Sequence, residues 1–479
     1  MPKAFLSDAL IYGGVDFLWK FINFALFPLL AVLLTVDEFG IFTLMSVQTW
    51  LAVMLINCGL HVSLEKFYLA TDANPNDRSD LVTASLTWLT GFGSLLVGCG
   101  LGLSYLFRSS FVEIPWQCFA IALATALPMS LFHYLGNVCR VKFSPWKYAG
   151  LHFFQNLLAL SIGFYLILVK KQGVEGLLWG TFISFMLLLP FAYFAVAPSW
   201  TFKLNFRLTK SILSFGFPFL FNDLARWTYG WLDRFWLEQF ATLHEVGLFG
   251  MAFKLATPLI FLITAFNLAW SPYALKESNI RSGFLQQSNT LWFAFLTVCA
   301  LPLILFSSEI LHLLTPSAFW PAAPLVPFLA IGLVFLGSAT VTQVVLIHTN
   351  RTKKIVFVAW LGGLINCLCN FSLIPIFGAK GAALAVLLTY AFMGCASLFL
   401  TRAIFTHIKP LIVCVLILAF SWWGSEWTFV WKIGLLLCCT VGALLLQFGG
   451  FLLGYISSYT GTWVIFTRTH ENVDKSISC

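Results

Sequence analysis

Long apolar runs recur along the whole chain, and each is about as long as one membrane-crossing helix. The hydrocarbon core of a bilayer is about 30 Å thick, and an α-helix crosses it with about 20 apolar residues. Because backbone exposed to lipid must satisfy its own hydrogen bonds, continuous runs of this length predict helices and not barrel strands. Fourteen candidate spans lie at 10–34, 41–64, 81–107, 116–138, 149–169, 176–197, 211–237, 248–273, 287–307, 323–348, 355–375, 381–405, 409–424 and 430–456.

The predicted fold class is therefore an all-α polytopic membrane protein of about fourteen transmembrane helices. Charged residues make up only 10% of the chain, whereas a soluble domain carries about 25%. The segments between the predicted spans are short, and they contain no P-loop and no Gly-rich strand-to-helix motif. This pattern leaves no room for a soluble catalytic domain and predicts a protein that is not an enzyme and that uses no organic cofactor.

The cysteines do not form a recognisable metal site. Cys367 and Cys369 are two residues apart, so on a helix their side chains point in different directions. Most of the other cysteines fall inside predicted spans, where free cysteine packs as a small apolar side chain. We therefore predict no bound metal.

Lysine and arginine are distributed unevenly between the two sides of the predicted bundle. If the N-terminus is cytoplasmic, the cytoplasmic segments hold eighteen Lys and Arg residues and the external segments hold five. Short cytoplasmic loops accumulate positive charge, so this bias predicts that both termini are cytoplasmic. The same bias accounts for the net charge of +8 without a nucleic acid partner, because the basic residues are spread over every inner loop.

A short stretch occurs twice and indicates an internal duplication. VDEFGIF, which starts at Val36, is followed 207 residues later by LHEVGLF, which starts at Leu243. A second stretch, QGVEGLLWG from Gln172, matches FGAKGAALA from Phe377 at an offset of 205. Both offsets cover six spans, an even number, so the two copies have the same orientation in the membrane.

The duplication predicts the domain organisation. We expect an N-terminal six-helix lobe at 1–210, a C-terminal six-helix lobe at 211–405, two additional helices at 406–456 and a cytoplasmic tail at 457–479. Two parallel lobes with a cavity between them suit alternating access, in which a central site opens to one side of the membrane at a time.

Several charged residues lie inside the predicted spans, where charge is costly and marks a functional site by default. The charged and amide residues concerned are Asp16, Lys20, Asn23, Asp223, Arg226, Asp233, Arg234 and Lys254. The first span and its equivalent, the seventh, each carry their polar residues on one face. We expect these faces to line the cavity between the lobes, where water or counter-charges solvate them.

The cations among these residues predict an anionic substrate. Lys20, Arg226, Lys254 and Arg234 are the candidates for binding it, and arginine presents a planar fork that suits phosphate oxygens. A cavity rich in such cations favours phosphorylated or otherwise acidic compounds.

The acidic residues leave alternatives open. Asp16 and Asp223 are candidates for carrying a coupling H⁺ or Na⁺, because the surroundings of a carboxyl group set its affinity for a cation. Alternatively, Asp16 with Lys20 and Asp223 with Arg226 only neutralise each other at helical spacing. Asp233 and Arg234 lie near the end of their span and fit an interfacial position as well as the cavity.

The repeated stretches and the span count together resemble a known family. VDEFGIFTL, HEVGLFGMAFKL and FGAKGAALAV, combined with about fourteen spans, are similar to the polysaccharide transporters of the multidrug, oligosaccharidyl-lipid and polysaccharide (MOP) exporter superfamily. The resemblance implies a V-shaped fold of two six-helix lobes around a cationic cavity that Lys20, Arg226 and Lys254 face. It also implies that the two additional helices resemble the pair found in the lipid II flippase branch.

The function that the resemblance implies is the flipping of undecaprenyl-diphosphate-linked oligosaccharides, such as O-antigen or capsule repeat units, from the inner to the outer leaflet. It places the protein in the bacterial inner membrane. The implied partners are the lipid-linked substrate, membrane lipids and the polysaccharide polymerase or assembly proteins. A drug antiporter of the multidrug and toxic-compound extrusion (MATE) branch is the alternative, and a membrane glycosyltransferase or polymerase is a third hypothesis that the short loops disfavour.

Overall fold

The computed structural model describes residues 22, 24–70, 75–108, 113–196, 205–274, 284–348, 351–401, 415–416, 419 and 431–436. The helices are α1 (Phe27–Leu33), α2 (Val36–Asn57), α3 (Leu60–Ala70), α4 (Pro75–Leu106), α5 (Trp116–Val141), α6 (Pro145–Leu168), α7 (Gly173–Val196), α8 (Phe206–Trp231), α9 (Asp233–Phe240), α10 (Leu243–Ala274), α11 (Phe284–Leu305), α12 (Ser307–Leu314), α13 (Val326–His348), α14 (Thr352–Phe377) and α15 (Ala379–Leu400). A 3₁₀ segment, Ser317–Leu325, leads into α13. No strand occurs in these ranges, which confirms the all-α fold class.

Nine helical stretches in the described part of the chain are long and apolar enough to cross a membrane. The pair α11 and α12, bent by 61° at their junction, makes a tenth. Helix α8 has 26 residues and overlaps the predicted seventh span, 211–237. It is not among the nine apolar stretches because it contains more polar residues. Most of the first, thirteenth and fourteenth predicted spans and the C-terminal tail lie outside the described residues, so the total of fourteen stays a prediction.

The repeated stretch forms the beginning of a helix in both copies and not a free turn. Thr35 precedes α2, and its Oγ1 accepts a hydrogen bond from the Glu38 N–H at 3.2 Å. Glu38 Oε2 accepts from the Thr35 N–H at 2.9 Å, which completes a capping box. In the second copy, Thr242 Oγ1 accepts from the Glu245 N–H at 3.3 Å before α10. The residues that recur are those that begin a helix.

The two repeated stretches contact each other within each repeat. Gly173 is the first residue of α7 and Gly378 directly precedes α15; their φ angles are +54° and +56°, which glycine adopts without strain. A Cβ atom added to Gly173 would overlap Glu38, and one added to Gly378 would overlap Glu245. The Ala379 N–H also donates a hydrogen bond to Glu245 Oε2. The glutamate of the first stretch therefore lies against the glycine turn of the second, in both repeats.

A break interrupts the second predicted span, 41–64, which sequence reasoning treated as one helix. Cys58 and Gly59 adopt φ of +44° and +73°, so α2 ends and α3 begins with a change of direction. The break coincides with a close approach to the second repeat, because a Cβ atom at Gly59 would overlap the Gly216 carbonyl of α8. The left-handed backbone and the missing side chain both require glycine at this position.

The helices pack mainly within the two repeats. In the first repeat α7 packs on α5 and α6, and α5 packs on α2 and α4. In the second repeat α15 packs on α13 and α14, α13 packs on α10 and α11, and α14 packs on α8. The repeats meet where α2 contacts α10 and where α3 and α4 contact α8.

Candidate functional site

Two glycines in equivalent positions bring α2 and α10 into close contact. A Cβ atom at Gly40 would overlap the Leu243 carbonyl, and one at Gly247 would overlap the Val36 carbonyl. Gly247 and Leu243 lie 207 residues after Gly40 and Val36, so each contact is the equivalent of the other. The α2–α10 contact is therefore symmetric about the axis that relates the repeats. We call the region around these four residues the glycine contact. It holds the two repeats together at the ends where α2 and α10 begin.

Charged side chains border the glycine contact on its exposed side. Asp37 Oδ1 and His244 Nδ1 lie 3.2 Å apart, and both side chains are exposed. They too are equivalent positions of the repeats. Exposed pairs of this kind contribute at most about 1 kcal/mol to stability, so the backbone approach and not the ion pair dominates this contact.

A second set of contacts joins the repeats further along α2 and α8. The Trp227 indole N–H donates to the Val47 carbonyl at 3.4 Å. Beyond the break after α2, Gly59 lies against Gly216, and Ser63 Oγ donates to the Ile212 carbonyl of α8 at 2.8 Å. Between Val47 and Gly59, the described residues of α2 give no hydrogen bond to α8.

Arg226 lies on α8 between Gly216 and Trp227, the residues of these two contacts. Its guanidinium pairs with Asp223 one turn earlier on α8, at 2.5 Å, and its side chain is 59% exposed. Asp223 is mostly buried, and His61 of α3 places Nε2 3.9 Å from its second carboxylate oxygen. The arginine therefore keeps donors free for an anion while Asp223 and His61 fix its position.

Lys254 lies on α10, four residues after Gly250, which contacts Thr43 of α2. Its side chain is half-buried. Among the described residues, no carboxylate or hydrogen-bond acceptor pairs with its amine. Whether Lys254 faces a cavity between the repeats stays a prediction.

Arg234 has a different environment from the one predicted for a cavity residue. Its side chain is 2% exposed and pairs with Asp233, itself 1% exposed, at 2.6 Å. It also donates to the Gly230 carbonyl at 2.8 Å. The guanidinium carbon lies 4.5 Å from the Phe253 ring centroid and 5.0 Å from that of Phe249. The pair is buried and packed between α8, α9 and α10.

The remaining candidates, Asp16 and Lys20, lie outside the described residues, as does Asn23. The described site therefore contains the candidates Asp223, Arg226 and Lys254.

His61 is a residue of this site that the charged residues of the predicted spans did not identify. The structure brings His61 to Asp223 across the boundary between the repeats. One turn further along α3, Glu65 pairs with Arg140 of α5. A histidine inside a predicted span, followed four residues later by a glutamate, was the available sequence signal for these polar residues.

A second polar cluster that the sequence did not reveal lies inside the second repeat. Asn370 Nδ2 donates to Asn366 Oδ1 at 2.9 Å, and Asn366 Nδ2 donates to Thr389 Oγ1 of α15 at 3.4 Å. All three side chains are buried. The spacing of four between the asparagines, within a run of apolar residues, was the available signal.

Comparison with known proteins identifies the family. A family model described as "Polysaccharide biosynthesis protein" matches residues 5–276, which is more than half of the chain. The chain belongs to this polysaccharide biosynthesis protein family. It is a multi-pass membrane protein.

One curated relative and several solved structures are also similar to this chain. Lsg locus putative protein 1 of Haemophilus influenzae is 25% identical over 288 residues, which cover 57% of this chain and 67% of the relative. A structure of the lipid II flippase MurJ in an inward closed conformation matches 92% of this chain and 100% of its own, with a TM-score of 0.73 at 14% identity. An inward-facing MATE family transporter of the MOP superfamily matches 82% of this chain and 99% of its own, with a TM-score of 0.62 at 14% identity. The structural likenesses show that the fold is of the MOP type.

Proposed function

We propose that this protein flips an undecaprenyl-diphosphate-linked oligosaccharide from the inner to the outer leaflet of the bacterial inner membrane. The observation that carries the proposal is Arg226, an exposed guanidinium between the two repeats with most of its donors uncommitted. A diphosphate offers acceptor oxygens that match the arginine fork. Lys254 and Lys20 add positive charge to the same proposed cavity, whereas Arg234 is committed to Asp233.

Transport proceeds, in this proposal, by alternating access. The glycine contact closes one end of the boundary between the repeats, and substrate enters from the other end. Opening the closed end requires separation of α2 from α10, which is a rigid-body movement of one repeat against the other. With both termini in the cytoplasm, the glycine contact lies at the outer face.

Coupling to an ion gradient is part of the proposal, with H⁺ or Na⁺ as the ion. Asp223 is the described candidate because it contacts both Arg226 and His61. A cation that neutralises Asp223 would release Arg226 for the diphosphate. Asp16, its equivalent in the first repeat, is the second candidate.

The partners implied by this function are membrane lipids, the lipid-linked substrate and the polymerase or assembly proteins that use the flipped repeat unit. The substrate is amphipathic, so its lipid tail stays in the bilayer while the diphosphate and sugars pass between the repeats.

The experiment that tests the proposal measures lipid-linked oligosaccharide on each leaflet in cells that lack the protein. Complementation compares wild type with Arg226→Ala, Arg226→Lys and Lys20→Ala. Arg207→Ala serves as a matched control. Arg207 is also an exposed arginine of α8, but it lies at the start of the helix, far from Arg226.

We expect intermediates to accumulate on the inner leaflet of the deletion strain and to be cleared by wild type and Arg207→Ala. Arg226→Ala should clear them poorly, and Arg226→Lys should restore part of the activity because charge remains while the fork is lost. A normal leaflet distribution in the deletion strain would refute flipping and would direct attention to small-molecule export.

A further inference from the structure

Trp50 is an exposed aromatic side chain in the middle of a membrane-crossing helix. It lies fourteen residues after Val36, the first residue of α2, which is about 21 Å along the helix axis. Its side chain is 44% exposed, and its indole N–H has no hydrogen-bond partner among the described residues. Tryptophans that anchor a protein at the membrane interface lie near helix ends, where the N–H reaches water or headgroups. Trp50 therefore lies away from the helix ends at which interfacial tryptophans are found, and its indole N–H is free to donate to a ligand.

The position of Trp50 on α2 identifies that space. Gly40, Thr43 and Val47 are among the residues of α2 that contact the second repeat. Trp50 follows Val47 by three residues, so it lies about 60° around the helix from Val47 and one turn further along. It is therefore on the side of α2 that faces the second repeat, just beyond the contact at Val47.

Trp50 and Arg226 lie near the same contact between the repeats. The Trp227 indole reaches the Val47 carbonyl, Arg226 is the neighbour of Trp227 in sequence, and Trp50 lies about one turn beyond Val47. Asp223, which pairs with Arg226, lies 3.9 Å from His61 of the first repeat. The first repeat thus contributes an exposed indole to this boundary, and the second contributes an exposed guanidinium.

Three further rings support the Trp50 side chain from within the first repeat. The His133 ring lies 5.5 Å from the Trp50 ring, with an interplanar angle of 33°. His152 stacks on His133 at 5.5 Å and 29°, and Tyr148 lies 4.4 Å from His152. Gly136 makes room for this stack, because a Cβ atom there would lie 2.9 Å from His152 Nε2. His133 covers part of the indole, and 44% of the Trp50 side chain stays exposed.

An indole face of this kind suits a sugar. A pyranose ring carries axial C–H groups that form an apolar face, while its hydroxyl groups accept hydrogen bonds from a donor such as the indole N–H. Most groups of a sugar are uncharged, so a cation alone cannot hold it. An aromatic face supplies contact area with little loss of side-chain entropy. We propose that Trp50 is a stacking platform for a pyranose ring of the glycan, next to the diphosphate held near Arg226. This inference rests on the proposed function and adds the residue that recognises the sugar.

The test compares two lipids that differ only in the sugar. The probes are undecaprenyl diphosphate and undecaprenyl-diphosphate-linked N-acetylglucosamine, and their Kd values are measured with the full-length protein in nanodiscs. The variants are Trp50→Leu, Trp50→Phe and Arg226→Ala. Trp179→Leu is the matched control, since Trp179 of α7 is also partly exposed and pairs with Phe182 of its own helix.

We expect wild type to bind the sugar-bearing lipid about tenfold more tightly than the sugar-free lipid, which corresponds to about 1.4 kcal/mol. Trp50→Leu should abolish this preference and leave the Kd of the sugar-free lipid unchanged, whereas Trp50→Phe should keep part of it. Arg226→Ala should weaken both lipids by a similar factor, and Trp179→Leu should behave as wild type.

Two other outcomes are informative. If wild type binds both lipids equally, or if Trp50→Leu keeps the preference for the sugar, the platform is refuted while the flippase proposal stands. If wild type binds neither lipid, the proposed function fails and the platform fails with it. Because Trp50 is exposed, Trp50→Leu leaves the helix packing intact, and an unchanged melting temperature verifies this.

Discussion

Gly40 and Gly247 occupy equivalent positions of the two repeats, and each lies against the backbone carbonyl that begins the other's helix. Gly40 faces Leu243, and Gly247 faces Val36. A symmetric contact of this kind is self-complementary, as in a two-fold dimer interface. The duplication therefore supplies both halves of one close backbone contact, and any added side chain on either glycine disturbs it.

Adding a methyl group to this contact should separate the repeats at the closed end. In Gly40→Ala and Gly247→Ala, the new Cβ overlaps a backbone carbonyl, which cannot rotate away as a flexible side chain can. We expect each variant to lengthen the distance between spin labels placed at Asp37→Cys and His244→Cys in a cysteine-free background. Gly91→Ala is the control, because a Cβ atom at Gly91 meets no atom within 4 Å. Unchanged distances in both variants would show that the glycine contact does not hold the repeats together.

Joining the repeats covalently at the same end should stop transport. Asp37 and His244 lie 3.2 Å apart at their side-chain atoms, so Asp37→Cys with His244→Cys is suited to a short thiol crosslinker. We expect crosslinking to block clearance of lipid-linked oligosaccharide from the inner leaflet, and cleavage of a reducible crosslinker to restore it. Each single cysteine variant, treated in the same way, should remain active. Continued transport with the crosslink in place would contradict alternating access through this end.

The helices of this fold could be predicted from the sequence because membrane spans follow from the length of apolar runs alone. The predicted spans 116–138 and 355–375 lie within α5 and α14, for example. The break at Cys58 and Gly59 could not be predicted in this way. It depends on left-handed backbone angles and on Gly216, a residue more than 150 positions away, and neither changes the hydropathy of the run.

Less of the site than of the fold could be predicted, because the sequence does not show which residues meet in space. Arg226 and Arg234 were both identified because each is a charged residue inside a predicted span, where burying a charge is costly. The sequence does not show which residues pair with either arginine. The structure separates them: Arg226 is exposed beside Asp223, and Arg234 is enclosed with Asp233 and aromatic rings. Trp50 carries no charge, so only its position on the inter-repeat side of α2 draws attention to it.

Removing Arg234, the cation of the buried pair, should destabilise the protein, whereas removing the exposed Arg226 should not. Arg234→Met leaves the Asp233 carboxylate buried without a partner, a change that costs about 3–5 kcal/mol in comparable buried pairs. We therefore expect a clear fall in the melting temperature of the purified protein. Arg226→Ala should melt close to wild type, because its side chain is largely solvated.

A double variant separates the loss of the pair from the loss of packing. Asp233→Leu combined with Arg234→Met removes both charges, so no unpaired charge remains, and we expect it to recover much of the stability that Arg234→Met loses. If Arg234→Met melts like wild type, the buried pair contributes little, and the environment described for Arg234 would need revision.

The glycine turns that contact the repeated glutamates should be equally sensitive in both repeats. Gly173→Ala and Gly378→Ala force alanine into φ values of +54° and +56°, which costs about 1–2 kcal/mol for an L-residue. Each new Cβ atom also overlaps its glutamate, Glu38 or Glu245. We expect both variants to lower the melting temperature, and Gly102→Ala to leave it equal or slightly higher, since Gly102 is helical and has open space at its Cβ position.

Glu245→Gln should lower the melting temperature less than Gly378→Ala does, because the amide oxygen still accepts the Ala379 N–H and the backbone is not strained. If only one of the two glycine variants is destabilised, the Glu–Gly contact is not equivalent in the two repeats.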